Sequence, residues 1–430
     1  MPMTPSRVGE WVAYTAYTIL WTLLLPGLVL VLAAIPRHRP LLARFRPGPP
    51  PPAGAIWVHA CSVGEVNAAR PLIDALASRI PGAPVFLTVS TRTGQARAAE
   101  ALPDIPRAWF PFDHPLLARW FMAAAQPRAL VLVETEWWPG VMRAAQRQGV
   151  PIILANGRVS DKHFERYRRI PWLVEPMMRA VACAAMQSQR YANRVQALGL
   201  DAGRVHVCGS VKFDGAALEP PAGVRERLAD AVQPAPGKPL VVLGSSRPGD
   251  EARVVAAWES IRPDCPGVQL AIAPRHPGRI AEAERACVGH PTRRRGQCTG
   301  ENPWRGEGVL LLDTLGELLA LYAPATVVII GGSFDPAIQG HNPIEPAALG
   351  KPVLFGPHMR NFEEAAEVLL EAGAAVRVSN GEDLAAVLKE VLQDHKRLGE
   401  MGEAGRAVVL SQQGAGEKMA FRIAEILENA

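Results

Sequence analysis

Asn342 and Glu345 stand three residues apart in GHNPIEPAAL, shortly after the break Gly331-Gly332-Ser333 that ends the apolar run Thr326–Ile330. An amide and a carboxylate at a helix start are suited to holding ribose hydroxyls, and the amides and dipole of that helix end suit a phosphate. Pro343 and Pro346 are tolerated in a first turn, so Pro343-Ile344-Glu345-Pro346 reads as such a start. A glycine-rich strand end followed by a helix is where open α/β sheets take nucleotides. The alternative is an ordinary βα turn whose Glu345 only caps its helix.

Other residues stand in comparable places. In His59-Ala60-Cys61-Ser62-Val63-Gly64-Glu65 a short strand gives way to a helix, Val66–Arg79, and puts Glu65 in its first turn. The helix dipole favours an ionised carboxylate there, which suits a proton acceptor; helix stabilisation alone is the other reading. Ser90-Thr91-Arg92-Thr93-Gly94 follows the next strand, where Arg92 either orients a sugar or phosphate or belongs to a helix cap. Glu134 and Glu136, two positions apart at a strand end, are expected to point the same way. Lys212, in Gly209-Ser210-Val211-Lys212-Phe213-Asp214, offers a cation where one half of the chain closes. Arg275, in Ala273-Pro274-Arg275-His276, is placed to pair with a phosphate oxygen. His276 and His341 lack the spacing or clustered carboxylates of a metal site, and hydrogen-bonding roles suit them better.

The elements that must position these residues are short apolar strands alternating with helices. Ile56–His59, Val85–Ser90, Ala129–Val133, Ile152–Asn156, Ala184–Gln187 and Val205–Cys208 form one set. Leu240–Gly244, Gln269–Ala273, Val309–Leu312, Thr326–Ile330, Val353–Phe355 and Ala374–Val378 form a second, followed by helices from about Asp383. The alternation predicts parallel sheets with helices on both faces, hence an α/β protein of two similar domains facing a cleft. The expected boundaries are 1–46 (membrane anchor and basic flank), 47–217, a Pro/Ala/Gly-rich linker 218–239, and 240–430, with Pro47–Pro52 as a spacer behind the anchor. Val12–Ile35 has no charged residue across about 24 positions, enough to cross a ~30 Å hydrocarbon core. Arg37, Arg39, Arg44 and Arg46 follow it, so the bulk of the chain is expected on the cytoplasmic side, behind an uncleaved anchor or an interfacial helix kinked at Pro26-Gly27. A net charge of +5 over 430 residues implies no nucleic-acid partner. Its 6 cysteines show no metal-like spacing. Lys162, Arg166, Arg168, Arg169 and Arg179, interleaved with Phe164, Tyr167, Trp172, Met177 and Met178, suit an anionic lipid surface; a solvated helix face is the alternative.

GHNPIEPAA followed by KPVLFGPH and Asn361-Phe362 resembles the donor signature of 3-deoxy-D-manno-octulosonic acid (Kdo) transferases. The likeness extends in order from about His59 to Phe362, through H-x-x-S-x-G-E at 59–65, E-T-E-x-W-P at 134–139, N-G-R-x-S at 156–160, G-S-V-K-F-D at 209–214 and D-T-L-G-E-L at 313–318. The resemblance implies the two-Rossmann glycosyltransferase fold (GT-B) and inverting transfer of Kdo from CMP-Kdo to a lipid A precursor, with no catalytic metal. That work is expected at the inner membrane, among its lipids. It further implies Glu65 as proton acceptor and Glu134 and Lys212 as transition-state stabilisers. Pro274, Arg275, Leu315, Gly316, Glu317, Asn342, Pro343, Ile344 and Glu345 would bind CMP, and Ser62, Gly64, Arg92, Arg158 and Ser160 would serve the acceptor side. Three positions depart from the family: Gly140 stands for the usual Asn, Arg247 for His and Asp250 for Glu. A membrane-associated GT-B transferase or epimerase using a UDP-sugar is the runner-up.

Overall fold

The computed structural model describes residues 5–46, 51–379 and 383–429; most of the spacer Pro47–Pro52 lies outside them. Two compact units emerge, Met1–Gly215 with Gln412–Ala430, and Ala216–Ser411. The first holds strands β1 (Ile56–His59), β2 (Val85–Val89), β3 (Arg107–Trp109), β4 (Ala129–Val133), β5 (Ile152–Gly157), β6 (Val181–Met186) and β7 (Val205–Val207). They form a parallel sheet in the order β3-β2-β1-β4-β5-β6-β7. The second holds β8 (Leu240–Ser246), β9 (Gln269–Pro274), β10 (Thr292–Arg294), β11 (Val309–Leu311), β12 (Val327–Ile330), β13 (Val353–Phe355) and β14 (Ala375–Arg377). Their parallel order is β10-β11-β9-β8-β12-β13-β14.

Both sheets are buried on two faces, which is why their central strands read as continuous apolar runs. Along β1, Ile56 and Val58 join one core and Trp57 the other, the period-2 alternation of a strand. In each unit the chain leaves its first strand toward one side and later returns to the other. The carboxyl ends of β1 with β4, and of β8 with β12, are therefore the points where strand order reverses and where such sheets bind ligands.

Three sequence expectations are corrected. The last helix, Ala415–Glu428, belongs to the first unit rather than the second. Its Met419, Ile423 and Leu427 share a core with Leu72, Ile73 and Leu76 of the helix Val63–Arg79. Each such side chain, fully buried, contributes about 1.5–3 kcal/mol, which settles where an amphipathic terminal helix goes. The segment read as a linker carries a helix, Ala222–Ala231, with Leu228 and Ala231 buried. Finally, β3 and β10 were not expected at all.

The apolar N-terminal helix spans Pro5–Ala34, and its Tyr14–Ala34 stretch has the length and hydropathy (21 residues, 2.1) to cross a membrane. One stripe, Tyr14, Thr18, Trp21, Leu25, Leu28 and Leu32, is partly or fully covered, while Ile19, Leu20, Leu23, Leu24, Leu30 and Val31 are exposed. The covered side is tied to the first unit: Tyr17 Oη donates to Asp113 Oδ2 at 2.6 Å, and Trp21 meets Phe112 with ring centroids 6.3 Å apart. The segment Pro36–Phe45 continues the attachment, with the Arg44 guanidinium 4.3 Å over Phe112 and its Nε–H on Phe110 O at 2.9 Å. Arg44 of the basic flank is thus a packing residue.

Candidate active site

In the first unit Ser62 caps the helix Val63–Arg79, its Oγ accepting from Glu65 N, while the Glu65 carboxylate reaches back. Glu65 Oε2 accepts the Cys61 N–H at 2.5 Å and Oε1 accepts the Ser62 hydroxyl at 3.0 Å. Glu65 thus closes the helix start as in a capping box, reaching the N–H one residue before the cap, so the structural reading of Glu65 holds, and it also fixes the carboxylate's direction. Glu65 does not stand alone: one carboxylate oxygen each of Glu65 and Glu136 and the Cys61 Sγ lie within 4.8 Å of one another. Burial first, then Glu136 and Glu134, push the Glu65 carboxyl up to about 8. The sequence expectation that the helix dipole keeps Glu65 readily ionised is therefore reversed: one terminal dipole is weaker than burial beside two carboxylates. Burial, Glu136 and Glu65 likewise push the Cys61 thiol up to about 12.

Glu134 and Glu136 do not point the same way. Both lie past the end of β4, and Glu134 has a left-handed backbone (φ 61), so strand alternation no longer applies. Glu134 pairs with Arg158 Nε at 3.5 Å. Glu136 accepts the Trp138 indole N–H at 2.9 Å and faces His59 Nε2 at 3.6 Å. Although burial draws Glu136 upward, His59 and Trp138 hold it below the usual carboxylate range. His59 is fully buried and stacked on Phe110 at 3.7 Å, and burial drives its pKa down, leaving a neutral ring. Trp57 Nε1–H fills the Thr88 hydroxyl oxygen at 2.8 Å, and that hydroxyl lies 3.1 Å from His59 Nδ1. His59 Nδ1 also lies 3.0 Å from the Thr88 carbonyl oxygen, which can only accept, while the buried Nε2 makes no hydrogen bond and has Glu136 Oε2 3.6 Å away. His59 and Arg44 entered the sequence reading without a chemical role.

The remaining first-unit expectations fall at neighbouring strand ends. Ser160 caps the helix Asp161–Arg168, and Arg92 Nη1 donates to Arg37 O at 3.1 Å, fastening the post-anchor segment. Gly64 lies in the same helix turn as Glu65. Lys212 sits on a loop held by the Val211 N–H on Asn156 Oδ1 at 3.2 Å and by Asp214, which accepts the Ala415 and Gly416 N–H groups at 3.0 and 2.7 Å. Of the aromatics in the basic stretch, Phe164 and Tyr167 pack against the core, and Trp172 is 53% exposed. A separate cavity of about 120 Å³ is lined by Tyr14, Thr18, Arg119, Arg143 and Arg147 beside the N-terminal helix.

In the second unit the expected nucleotide residues gather at the carboxyl ends of neighbouring strands. The β12 turn needs glycine: a Cβ on Gly331 would sit 2.4 Å from Ser245 O, and Gly332 has φ +68. Asn342 Oδ1 accepts the Ile344 N–H at 2.9 Å, while its Nδ2 donates to Glu345 Oε1 at 3.1 Å, orienting the pair at the start of Ile344–Ala348 behind the buried Pro343. Burial raises the Glu345 carboxyl against the pull of Asn342 and Arg275. Pro274 ends β9, and the following Arg275 is exposed with its N–H on Ser246 O at 3.1 Å. Leu315 is 81% exposed and Gly316 has φ +79. Glu317 is different, because Arg295 occupies one carboxylate oxygen at 3.0 Å and the Thr314 hydroxyl the other. What this loop can offer a ligand is therefore its backbone and Leu315, with Glu317 shaping it from beneath.

Residues 38–215 match the family described as 3-Deoxy-D-manno-octulosonic-acid transferase (kdotransferase). A 3-deoxy-D-manno-octulosonic acid transferase of Bordetella pertussis is 37% identical over 381 residues, 85% of this chain and 86% of the relative. That of Haemophilus influenzae is 28% identical over 88% of each. Among solved structures, MurG of Acinetobacter baumannii covers 88% of this chain and 100% of its own at 13% identity and a TM-score of 0.56, a likeness of fold alone, that of the GT-B glycosyltransferases.

Proposed function

The chain belongs to the 3-deoxy-D-manno-octulosonic acid transferase family, a family of glycosyltransferases in lipopolysaccharide biosynthesis, and we propose that it moves Kdo from CMP-Kdo to a lipid A precursor with inversion. The observation that carries the mechanism is Glu65, a carboxylate aimed by Cys61 and Ser62 and raised to about 8. A carboxylate of ordinary acidity is a weak base; one raised toward the working pH removes a hydroxyl proton more effectively. In this reading Glu65 takes the proton of the acceptor hydroxyl as its oxygen bonds to the anomeric carbon and the bond from that carbon to the CMP phosphate breaks. Glu134, paired with Arg158, and Lys212 stabilise charge in the transition state. The second unit holds CMP through the Asn342–Glu345 pair, Arg275, Pro274 and the Leu315-Gly316-Glu317 loop, and the departing phosphate is stabilised by cations and helix N-termini rather than a metal.

The N-terminal helix, in the same proposal, lies along the cytoplasmic leaflet of the inner membrane rather than crossing it. Its partly covered stripe and the Tyr17–Asp113 bond attach it along one side to the first unit and leave the other side open to lipid. The apolar stripe then faces acyl chains, and Arg119, Arg143 and Arg147 meet anionic headgroups. The test is transfer from CMP-Kdo to a tetra-acylated lipid A precursor with and without EDTA, products being separated by number of sugars. Sugar-bearing products insensitive to EDTA are expected, inhibited by CMP and not by UDP. Glu65→Gln should lose at least ~10²-fold in turnover while keeping CMP affinity; near-normal turnover removes Glu65 from the mechanism.

A further inference from the structure

Arg247 follows β8, Arg275 follows β9 and His341 follows the β12 turn, so three adjacent strands bring them to the point where strand order reverses. Arg247 Nε–H donates to His341 Nε2 at 3.2 Å. To accept that bond the imidazole must be neutral with its proton on Nδ1, and burial, Arg247, Arg275 and His276 hold it so, down at about 4. The histidine therefore orients the guanidinium without neutralising it. The nearby carboxylates are committed elsewhere. Asp250 Oδ2 accepts the backbone N–H groups of Arg247 at 2.8 Å and Gly332 at 2.6 Å, holding the loop rather than the side chain. Glu251 accepts from Ser246 at 2.6 Å and pairs with Arg279 at 3.1 Å. Among the described residues no carboxylate forms an ion pair with Arg247.

An oriented, half-buried guanidinium with no ion-pair partner among the described residues, beside Arg275 and at a strand-order reversal, is built for an anion. His341 immediately precedes Asn342, whose pairing with Glu345 suits a ribose, so the bond from Arg247 to His341 ties the guanidinium to the segment that would hold a nucleoside. We infer that Arg247, steered by His341, is a phosphate-binding residue of the donor site, at the position where the family pattern has His. This rests on the reading of the second unit as a CMP-sugar site.

Calorimetric titration of the full chain with CMP and with cytidine tests it, using wild type, Arg247→Ala and Arg247→Lys. Wild type should prefer CMP to cytidine. Arg247→Ala should lose about 10- to 100-fold in CMP affinity with cytidine affinity unchanged, the loss expected for a charge-assisted hydrogen bond. Arg247→Lys, which keeps the charge without the fork, should recover part of it. An Arg247→Ala protein with the wild-type CMP-to-cytidine ratio overturns the inference, as does equal loss of both ligands, which marks a structural role. Wild type that binds neither ligand overturns the CMP-sugar reading itself, a result distinct from the other two.

Discussion

Replacing Glu136 by Gln should move the pH at which the enzyme gains activity, because Glu136 is the nearer of two negative charges acting on Glu65. Their carboxylate oxygens lie within 4.8 Å, and burial is the only larger upward influence on Glu65. At an effective dielectric constant of about 20, two unit charges about 4.8 Å apart repel by about 3.5 kcal/mol, equivalent to about 2.5 pH units. Solvent reaches both side chains, so a shift of about one to two units is expected. The wild-type limb of kcat/KM on the acid side should lie near the Glu65 value of about 8 and fall by that amount in Glu136→Gln. The direction follows from the charge: without Glu136, ionising Glu65 is easier, so its pKa falls and the base form is present at lower pH. The assay is a pH profile of Kdo transfer at subsaturating acceptor, with melting curves to confirm that the variant is folded. A limb that stays near 8 in Glu136→Gln refutes the assignment of that repulsion. A wild-type limb between 4 and 5 refutes the raised Glu65.

Two further outcomes are expected. Since Glu65 is raised in the folded state, its ionisation opposes folding: the penalty is absent below the unfolded value near 4.5 and grows as pH rises to about 8. Glu65→Gln should therefore melt higher than wild type at pH 8 and no higher at pH 4, and equal differences at both pH values count against this. In the second unit, Arg295→Ala strands the Glu317 carboxylate, whose side chain is only 10% exposed, and should cost about 3–5 kcal/mol in guanidinium unfolding. Arg295→Met with Glu317→Leu should recover most of that, and a single variant as stable as wild type contradicts the buried pair.

The fold was legible where strands are central and apolar. The two strands that escaped, β3 and β10, are both sheet edges of three residues, and their arginines (Arg107, Arg293, Arg294) interrupt any apolar run. The helix Ala222–Ala231 was hidden between proline-rich flanks, and the last helix reads as amphipathic without saying which core receives it. The candidate site residues stand out in the sequence because they sit in short polar strings at strand ends. Their pairing does not: which of Glu134 and Glu136 faces Glu65 depends on one left-handed residue at the end of β4, and no residue spacing encodes that choice. The raised Glu65 was equally invisible, since it arises from Glu136 and Glu134, some 70 positions away in the chain.

The return of Ala415–Glu428 to the first unit makes the second unit an insertion within the first. On the ribosome, the stretch Ala216–Ser411 is complete before the helix that closes the core around Leu72, Ile73 and Leu76 has been made. The inserted unit can thus mature while its host waits with an open apolar face, although the host begins first. Synthesis broken off near Gln412 would leave a finished second unit and a first unit with an open, adhesive core.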